Sequence, residues 1–269
     1  MAETSDHRWV PTPLLGGSLA LHAIAFASVI VRPRLWPWAL GAVVANHALL
    51  TAAGLWPRST LLGPNVTRLP ADRRSGRVAI TVDDGPDPEV TPAVLDLLDH
   101  HHARATFFCI GERVAAYPAL ARSIRARGHA IENHSYRHRH NFSLLGPHAL
   151  SDEISQAQDA IAKVTGEPPT LFRAPAGLRN PFLEPVLRRC GLSLVSWTRR
   201  GFDTVSRDPA KVQARLTNNL AAGDILLLHD GHAARTTDGT PIVLAVLPKL
   251  LEALAAAGLA PVTLRQVLS

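Results

Sequence analysis

The chain has 269 residues, of which 46% are hydrophobic and 19% charged, and its formal net charge is +6. The length allows one medium-sized domain and an additional segment, and a membrane segment would explain the apolar, charge-poor composition. A basic chain can bind nucleic acid, anionic lipid or an acidic polymer. The arginines are dispersed rather than interleaved with aromatic residues, however, so we expect no nucleic-acid partner.

Two apolar stretches near the N-terminus each have the length of a membrane-spanning helix. Residues 13–31 and 35–56 contain no charged residue, and each is close to the ~20 residues that a helix needs to cross a bilayer. Arg32 and Arg34 separate the stretches, and tryptophans lie near their ends, as is typical of membrane interfaces. We predict two transmembrane helices that form a hairpin within an N-terminal segment, residues 1–57. This hairpin predicts a multi-pass protein of a bacterial-type inner (cell) membrane.

A cleaved signal peptide and a soluble pair of apolar helices are the alternatives to this hairpin. The signal peptide is disfavoured because its n-region would carry only His7 and Arg8 against Glu3 and Asp6. Counted simply, the positive-inside rule favours cytoplasmic termini, but the count on a tight hairpin is not decisive, so the side of the membrane on which the following domain lies stays open. The arginines counted are Arg8, Arg32, Arg34, Arg58, Arg68, Arg73 and Arg74.

Residues 58–76 contain several prolines and glycines and predict a linker, and a β/α pattern fills residues 77–269. The predicted strands are 78–82, 105–110, 130–133, 171–172, 192–197, 224–228 and 260–263. The predicted helices are 88–101, 112–128, one that opens at Ser151, 181–190, 209–222 and 241–258. This alternation indicates an α/β fold, either a parallel barrel or a doubly wound sheet. In a barrel, catalytic groups lie at the carboxyl ends of the strands.

The motif T-V-D-D-G-P places two adjacent carboxylates, Asp83 and Asp84, directly after the first predicted strand. Adjacent acids repel each other, and a metal ion would stabilise them and divide their roles between ligand and base. The alternative is a plain Asp-Gly-Pro turn followed by a helix cap at Asp87.

The motif H-S-Y-R-H carries His134 and His138, which could point the same way on a helical turn. Together with Asp84 they would give three protein ligands and leave positions open, as in a catalytic zinc site. We therefore expect a divalent metal, Zn²⁺ in the first place, with Co²⁺, Ni²⁺ or Mn²⁺ as alternatives.

Three further polar groups follow predicted strands. Arg173 comes after Phe172 and could orient a carboxylate, although a surface arginine is the alternative. Asp203 follows the strand that contains Trp197. His229 follows the apolar run L-L-L and could be a general acid. The alternative is a histidine that only forms a hydrogen bond at the edge of the core.

The order T-V-D-D-G-P, H-S-Y-R-H, R-A-P-A-G and L-L-L-H resembles the NodB-homology polysaccharide deacetylases, a carbohydrate esterase family, over about residues 77 to 268. The resemblance implies a distorted (β/α) barrel and a hydrolase that removes N-acetyl groups from a carbohydrate. It implies a metal triad of Asp84, His134 and His138. It implies the catalytic base Asp83, the orienting Arg173, the general acid His229 and its tuning carboxylate Asp203. Substrate contacts are expected from Pro175, Ala176, Trp197 and Leu227, with a backbone N–H near Ala176 stabilising the oxyanion.

The chain departs from the family pattern at Ala176 and Thr204, where aromatic residues are common. The identity of the sugar substrate can therefore not be inferred from relatives. The expected partner is a carbohydrate or glycolipid, and the hairpin favours a lipid-linked or nascent glycan. The alternatives are an O-deacetylase, a deformylase or amidase with the same site, a glycan-binding pseudoenzyme and a membrane-anchored structural protein. Cys109 and Cys190 lie in apolar runs and are expected to be buried thiols, with a disulfide as the alternative. The oligomeric state is not encoded in any recognisable pattern.

Overall fold

The computed structural model describes residues 9–70 and 76–268. The n-region of the alternative signal peptide, with Arg8, lies outside the described residues. So do residues 71–75 of the predicted linker, with Arg73 and Arg74, and therefore part of the charge count.

The helices, in chain order, are α1 (Pro13–Val31), α2 (Trp36–Leu55), α3 (Thr91–His100), α4 (Gly111–Ala116), α5 (Pro118–Ala126), α6 (Pro147–Thr165), α7 (Leu183–Arg189), α8 (Pro209–Thr217), α9 (Ile242–Ala256) and α10 (Arg265–Leu268). The strands are β1 (Arg77–Asp83), β2 (Ala105–Cys109), β3 (Ala130–Asn133), β4 (Leu171–Phe172), β5 (Ser193–Leu194), β6 (Arg199–Arg200), β7 (Ile225–His229) and β8 (Ala260–Pro261). Three 3₁₀ turns are found at Pro33–Leu35, Phe142–Leu144 and Pro175–Gly177.

The strands form one parallel sheet in the order β5-β4-β3-β2-β1-β7-β6, with β8 paired to β1. The central strand β1 is buried at every position except Arg77, and β2 and β7 are buried throughout. Continuous apolar strands are typical of parallel sheets that are covered on both faces. The sheet curls into an open half-barrel, which confirms the predicted α/β barrel rather than a doubly wound sheet.

The largest core packs α3, α5, α8 and α9 against the outer face of the central strands. Cys109 lies in this core, whereas Cys190 packs against a separate apolar cluster that includes α6 and α7 and is only half-buried. Both are free thiols, so the alternative of a disulfide between them is wrong for this structure.

The predicted helix 112–128 is wrong in one respect, because Pro118 divides it into α4 and α5. Proline lacks the N–H that would continue the helix, and it disfavours helical angles at the preceding residue. Tyr117 accordingly has φ −123° and ψ 59°. Gly128, with φ +82°, follows the end of α5 as predicted.

Other predicted boundaries shift for local reasons. The helix expected from residue 88 begins at Thr91, because the Asp87 carboxylate accepts hydrogen bonds from the N–H groups of Glu89 (2.9 Å) and Val90 (3.1 Å) and closes a turn. The helix expected from Ser151 begins earlier, at Pro147, since proline fits the first helical turn. The two-arginine strand β6 has no apolar pattern and was not predicted.

The described part of the predicted linker, residues 58–70, packs into the opening of the half-barrel. Val66 pairs with Val195 beside β5, and the N–H of Leu69 donates to the carbonyl of Gly223 at the start of β7 (2.8 Å). Leu62 and Leu69 are buried. This segment therefore bridges the two sides of the open barrel, while the boundary at 58–76 stays a prediction.

Helices α1 and α2 are long and apolar enough to cross a membrane, a test that a signal sequence or a soluble core helix can also pass. Only 11% and 22% of their apolar windows are buried, which is low for core helices. The end of α2 is fixed to the barrel, because the N–H of Arg179 donates to the Gly54 carbonyl (3.1 Å). The guanidinium of Arg179 also donates to the carbonyls of Ser59 (3.1 Å) and Gly63 (2.9 Å).

Candidate active site

The polar motifs of the sequence meet at one edge of the sheet. Asp83 and His229 are the last residues of the adjacent strands β1 and β7, and they are paired in register. His134 and Arg173 directly follow β3 and β4. Because all four strands are parallel, their carboxyl ends place these side chains around one cleft.

Asp84, His134 and His138 form a group of donor atoms that could hold one metal ion. Their ligand atoms lie within 4.8 Å of one another, and Asp84 Oδ1 is 3.3 Å from Nε2 of His134 and 3.2 Å from Nε2 of His138. Asp84 Oδ1 is buried yet accepts no hydrogen bond within the described residues. A buried carboxylate oxygen without a partner is costly, and a divalent cation bound by one oxygen and two imidazoles would satisfy it. The residues therefore fit a metal with positions left for water and substrate.

The two histidines do not lie on a helical turn, so that part of the prediction is wrong. Residues 134–138 form a loop after β3, in which Ser135 (φ +62°) and His138 (φ +50°) have left-handed backbone angles. Asn133 Oδ1 accepts a hydrogen bond from the Ser135 N–H (2.9 Å), and Ser135 Oγ accepts one from the His138 N–H (3.1 Å). These side-chain bonds, rather than helical periodicity, bring both rings to Asp84.

Hydrogen bonding and burial prepare both rings to coordinate. Nδ1 of His134 lies 2.8 Å from the Arg173 carbonyl, so this nitrogen donates and Nε2 presents its lone pair to the site. Burial, reinforced by the neighbouring His134, lowers the pKa of His138 to about 4, which keeps its ring neutral. Burial would raise the pKa of Asp84, but the rings of His134 and His232 outweigh it and hold that pKa well below the ordinary range. The cluster thus presents one carboxylate and two imidazole nitrogens.

A proton competes with the metal at His134. Burial alone would lower the pKa of this ring, but the adjacent carboxylates of Asp83 and Asp84 raise it. Metal binding at this cluster must therefore displace a proton, which makes the metal affinity dependent on pH.

Arg173 fixes the orientation of Asp83. Its side chain is almost fully buried, and Nη1 donates to Asp83 Oδ1 (2.7 Å) and Thr81 Oγ1 (2.8 Å), while Nη2 donates to the Ser196 carbonyl (2.9 Å). Asp83 Oδ2 lies on the side of the histidines, 3.9 Å from Nε2 of His134. One oxygen of Asp83 is therefore held by a cation while the other is directed toward the metal cluster.

His229 and Asp203 form a buried pair on the opposite side of the cleft. Asp203 accepts hydrogen bonds from the backbone N–H of His229 (2.7 Å) and from Nδ1 of its ring (2.9 Å). Burial would lower the pKa of His229, but the Asp203 carboxylate raises it to about 9, with smaller contributions from Asp83 and Asp84. The ring is therefore cationic at neutral pH and can donate a proton from Nε2.

These groups line a cleft of about 330 Å³. Its lining residues are Asp83, Asp84, His134, His138, His140, Ala176, Gly177, Trp197, Arg200, Thr204, Leu227, His229 and His232. Three of the four predicted substrate contacts, Ala176, Trp197 and Leu227, are among them. Pro175 is not, because it is a buried residue of the 3₁₀ turn that presents Ala176.

Left-handed backbone conformations are concentrated around this cleft. Residues other than glycine rarely have positive φ values, and such strain is often found at functional sites. The residues with positive φ at or next to the cleft are Asp84, Ser135, His138, Ala176, Phe202 and His232.

Among the residues that line the cleft, sequence reasoning assigned no role to His232 and Arg200. Nδ1 of His232 lies 3.2 Å from Asp84 Oδ2, and its ring centre lies 6.0 Å from that of His138. The run H-D-G-H after β7 was a signal for it, since it places a second histidine just beyond the strand end. Arg200 also lines the cleft, but it lies in the short strand β6, which no pattern predicted.

Comparison with known proteins assigns the chain to a family. The family model for polysaccharide deacetylase matches residues 71–195. A peptidoglycan-N-acetylglucosamine deacetylase of Bacillus cereus is 36% identical over 193 residues, which are 71% of this chain and 87% of the relative. A chitooligosaccharide deacetylase of Azorhizobium caulinodans is 37% identical over 155 residues, 57% of this chain and 73% of the relative.

A solved structure extends the match from sequence to fold. The family 4 carbohydrate esterase from Streptomyces lividans, in complex with acetate, superposes with a TM-score of 0.63 at 34% sequence identity. The alignment covers 70% of this chain and 92% of that one. By its motifs, its curled parallel sheet and these matches, the chain belongs to the polysaccharide deacetylase family.

Proposed function

We propose that this chain is a metal-dependent hydrolase that removes the N-acetyl group from an amino sugar of a carbohydrate. The observation that carries the proposal is the buried Oδ1 of Asp84, which accepts no hydrogen bond from the described part of the chain and faces Nε2 of both His134 and His138. Zn²⁺ is the expected cation because nitrogen and oxygen ligands in a three-residue open site suit it. The N-acetylglucosamine deacetylase and chitooligosaccharide deacetylase among the relatives support the choice of acyl group and acceptor.

The reaction divides between two groups on opposite sides of the cleft. A divalent cation at Asp84, His134 and His138 would supply Lewis acidity to the acyl carbonyl and to a water molecule. Asp83, held by Arg173, accepts the proton of the attacking water through Oδ2. The water oxygen bonds to the carbonyl carbon and the C–N bond breaks. His229 gives a proton to the departing nitrogen, which leaves acetate and a free amine.

The acyl group is proposed to lie between Trp197 and Leu227, which are apolar walls of the cleft. The backbone N–H of Ala176 is proposed as a donor to the developing oxyanion. Ala176 has φ +55° and is exposed on its 3₁₀ turn, so its small side chain leaves the cleft open where a larger one would cover it.

The alternatives keep the same site and change the bond or the outcome. An O-deacetylase, a deformylase or another amidase would use the same base and metal ligands. The cationic His229 supports an amide substrate, because the nitrogen of an amide must be protonated before it can leave. The alkoxide of an ester depends less on such a proton at high pH. A pseudoenzyme is disfavoured because each position with a proposed role carries a chemically competent side chain.

We also propose that residues 1–57 anchor the enzyme in a bacterial inner membrane, with α1 and α2 as a transmembrane hairpin. The support is the exposure of large apolar side chains around both helices, such as Phe26 (72%) and Trp38 (80%). Retention of the full-length protein in membranes after washing at high pH would test this. Release into the supernatant would favour a cleaved signal sequence or a soluble helix pair.

The enzyme activity is tested on full-length protein in detergent. Metal content is measured together with acetate release from a panel of N-acetylated glycans and glycolipids. Asp83→Asn should keep the metal and lose activity by about 10²- to 10⁴-fold, the usual contribution of a general base. His134→Ala should lose both metal and activity. The matched control is His148→Ala, an exposed histidine on α6, which should change neither.

Two outcomes would redirect the proposal. Metal without acetate release would support the site and reject the N-acetyl substrate in favour of the alternative acyl groups. Absence of bound metal in protein purified without chelator would reject the metal-dependent hydrolase and favour the glycan-binding pseudoenzyme.

A further inference from the structure

Arg200 is a cation in the wall of the cleft that the proposed reaction does not use. Its side chain is half-buried, its Nε is buried without a hydrogen-bond partner, and it forms no ion pair within the described residues. The guanidinium carbon lies 5.4 Å from the ring centre of Trp197 and 4.9 Å from that of Phe202. Cation–π contacts hold the group in place but leave its N–H donors without acceptors.

The preceding residue makes the difference clear. Arg199 points to the other side of β6, where it pairs with the buried Asp224 and also donates to main-chain carbonyls. Two consecutive arginines therefore have opposite environments. The guanidinium of Arg199 has several hydrogen-bond acceptors, whereas that of Arg200 has none inside the cleft.

No carboxylate of the cleft is left to pair with Arg200. Asp83 is bonded to Arg173, and Asp84 faces the histidines of the metal cluster. Asp203 receives both N–H groups of His229. A half-buried guanidinium that packs against aromatic rings, lines the cleft and has no ion pair within the described residues is placed to bind an oxyanion of the ligand.

We propose that Arg200 binds an anionic oxygen group of the substrate, so that the enzyme prefers an N-acyl sugar that carries a phosphate or a carboxylate. This inference rests on the proposed function and specifies its substrate class.

The position of the hairpin favours phosphate as the source of the charge. Gly177 lines the cleft, and a Cβ placed there would lie 2.8 Å from Pro57, which follows the end of α2. Ser196, beside Trp197, donates to the Pro57 carbonyl (2.6 Å). The wall that carries Trp197 thus adjoins the end of the hairpin, where the exposed Trp56 would mark a membrane interface. The phosphate that links a sugar to a membrane lipid lies at that level.

The test compares substrates that differ in charge. Full-length enzyme is assayed in detergent on methyl N-acetylglucosaminide, N-acetylglucosamine 1-phosphate and the methyl glycoside of N-acetylmuramic acid. A polyprenyl diphosphate N-acetylglucosamine in phosphatidylcholine vesicles separates the lipid-linked phosphate from a free one. The variants are Arg200→Gln, which removes the charge, and Arg200→Lys, which keeps it.

The matched control is Arg215→Gln. Arg215 lies 5.2 Å from the same Phe202 ring but is exposed on α8 and does not line the cleft. The preference in kcat/KM for the phosphorylated over the neutral sugar should fall about tenfold or more in Arg200→Gln, as expected for a charged hydrogen bond. The loss should appear mainly in KM. Arg200→Lys should keep part of the preference, and Arg215→Gln should keep all of it.

The different substrates of this assay distinguish the sources of the anion. Dependence on Arg200 that is largest for the polyprenyl diphosphate substrate supports a lipid-linked sugar, and dependence confined to the muramic acid glycoside assigns the charge to a carboxylate. If the wild type does not favour any anionic sugar, or if Arg200→Gln lowers kcat/KM for the neutral sugar as much as for the anionic ones, the inference is wrong.

A binding measurement separates this inference from the proposed function. If no substrate releases acetate, the proposed function fails, and calorimetry with N-acetylglucosamine 1-phosphate judges Arg200 alone. Affinity that falls about tenfold in Arg200→Gln but not in Arg215→Gln supports the anion site. Equal affinity of all three proteins overturns it.

Discussion

The barrel and the helical hairpin expose opposite kinds of side chain. In the barrel, β1, β2 and β7 are almost wholly buried, and the buried charges form pairs such as Asp83–Arg173 and Asp203–His229. In the hairpin, large apolar side chains such as Ile24 (66%) and Val44 (59%) are exposed. The few polar residues there pair with each other, as Asn46 Nδ2 does with Ser18 Oγ (2.8 Å).

The difference indicates what stabilises each region. The barrel excludes water from its own apolar core, and its buried ion pairs Asp83–Arg173 and Asp203–His229 are tolerated because each charge has a partner. The hairpin has almost no core, and the proposed membrane anchor would give its apolar faces an environment that is itself apolar. Perturbing a buried partner should therefore be severe in the barrel and mild in the hairpin, and the following variants test that contrast in order of expected effect.

Replacing Arg173 by methionine should have the largest effect. Asp83 would become an unpaired buried charge and the Ser196 carbonyl would lose its donor, so we expect the free energy of unfolding to fall by about 3–5 kcal/mol. Acetate release should be lost as well. Thermal unfolding followed by circular dichroism measures the first effect. The control, Arg235→Met, removes an exposed ion pair with Glu89 and should cost less than about 1 kcal/mol. An equal loss of stability to thermal unfolding in the two variants would contradict this account of the barrel.

The second variant, Asp203→Asn, should change the pH dependence. The pKa of His229 is raised to about 9 from its ordinary value near 6.5, so the cation is the form favoured by folding. Its contribution to stability is fully present below about pH 6.5 and is lost as the pH rises through about 9. Activity should decline over the same alkaline range, because the proton donor is lost.

In Asp203→Asn the alkaline limb of the kcat/KM profile should shift to lower pH by about one unit or more, because the carboxylate that raises the pKa of His229 is removed. The pH profile between 6 and 10 measures this shift. Asp208→Asn, at the N-cap of α8, alters an exposed carboxylate that is not among the groups raising the pKa of His229, and it should leave the limb in place. An unchanged limb in Asp203→Asn would remove His229 from the role of general acid.

The fold class was predictable because the buried strands are continuous apolar runs and the helices between them are amphipathic. The strand ends Asp83 and His229 were predictable for the same reason, since a polar residue after an apolar run marks the edge of the sheet. Pro118 was overlooked as a helix breaker, although the sequence contains the signal.

What the sequence could not predict depends on contacts between distant segments. The loop that carries His134 and His138 has left-handed residues stabilised by side-chain bonds, and periodicity contains no information about them. Arg200 looks like any surface arginine in sequence. Its isolation in the cleft follows only from where Trp197 and Phe202 lie after folding.

The contact between the two regions is tested at Gly54. A Cβ at this position would collide with the Arg179 carbonyl, whereas one at Gly41, in the same helix, would meet nothing. Gly54→Ala should weaken docking of the hairpin by about 1–3 kcal/mol, a typical cost of overpacking. Gly41→Ala should stabilise α2 by up to about 1 kcal/mol.

Trypsin cleavage after the exposed Arg58 reports this docking, because cleavage requires local opening of the segment. The rate should rise about fivefold or more in Gly54→Ala, which corresponds to the lower end of the expected cost. It should not rise in Gly41→Ala. Equal rates in both would mean that the hairpin and the barrel are not held together by this contact.

The smallest effect is expected inside the hairpin, at the pair of Asn46 and Ser18. Polar pairs between transmembrane helices contribute about 0.6 kcal/mol on average, because the separated helices also find partners in the membrane. A double-mutant cycle of Asn46→Ala and Ser18→Ala, measured by unfolding in lipid bicelles, gives this coupling directly. Val44→Ala, at an exposed apolar position, is the control and should have little effect, since lipid replaces the lost contact. A coupling as large as the loss in Arg173→Met would mean that the hairpin depends on buried polar partners as the barrel does. The contrast between the two regions, and with it the argument for a lipid environment, would then fail.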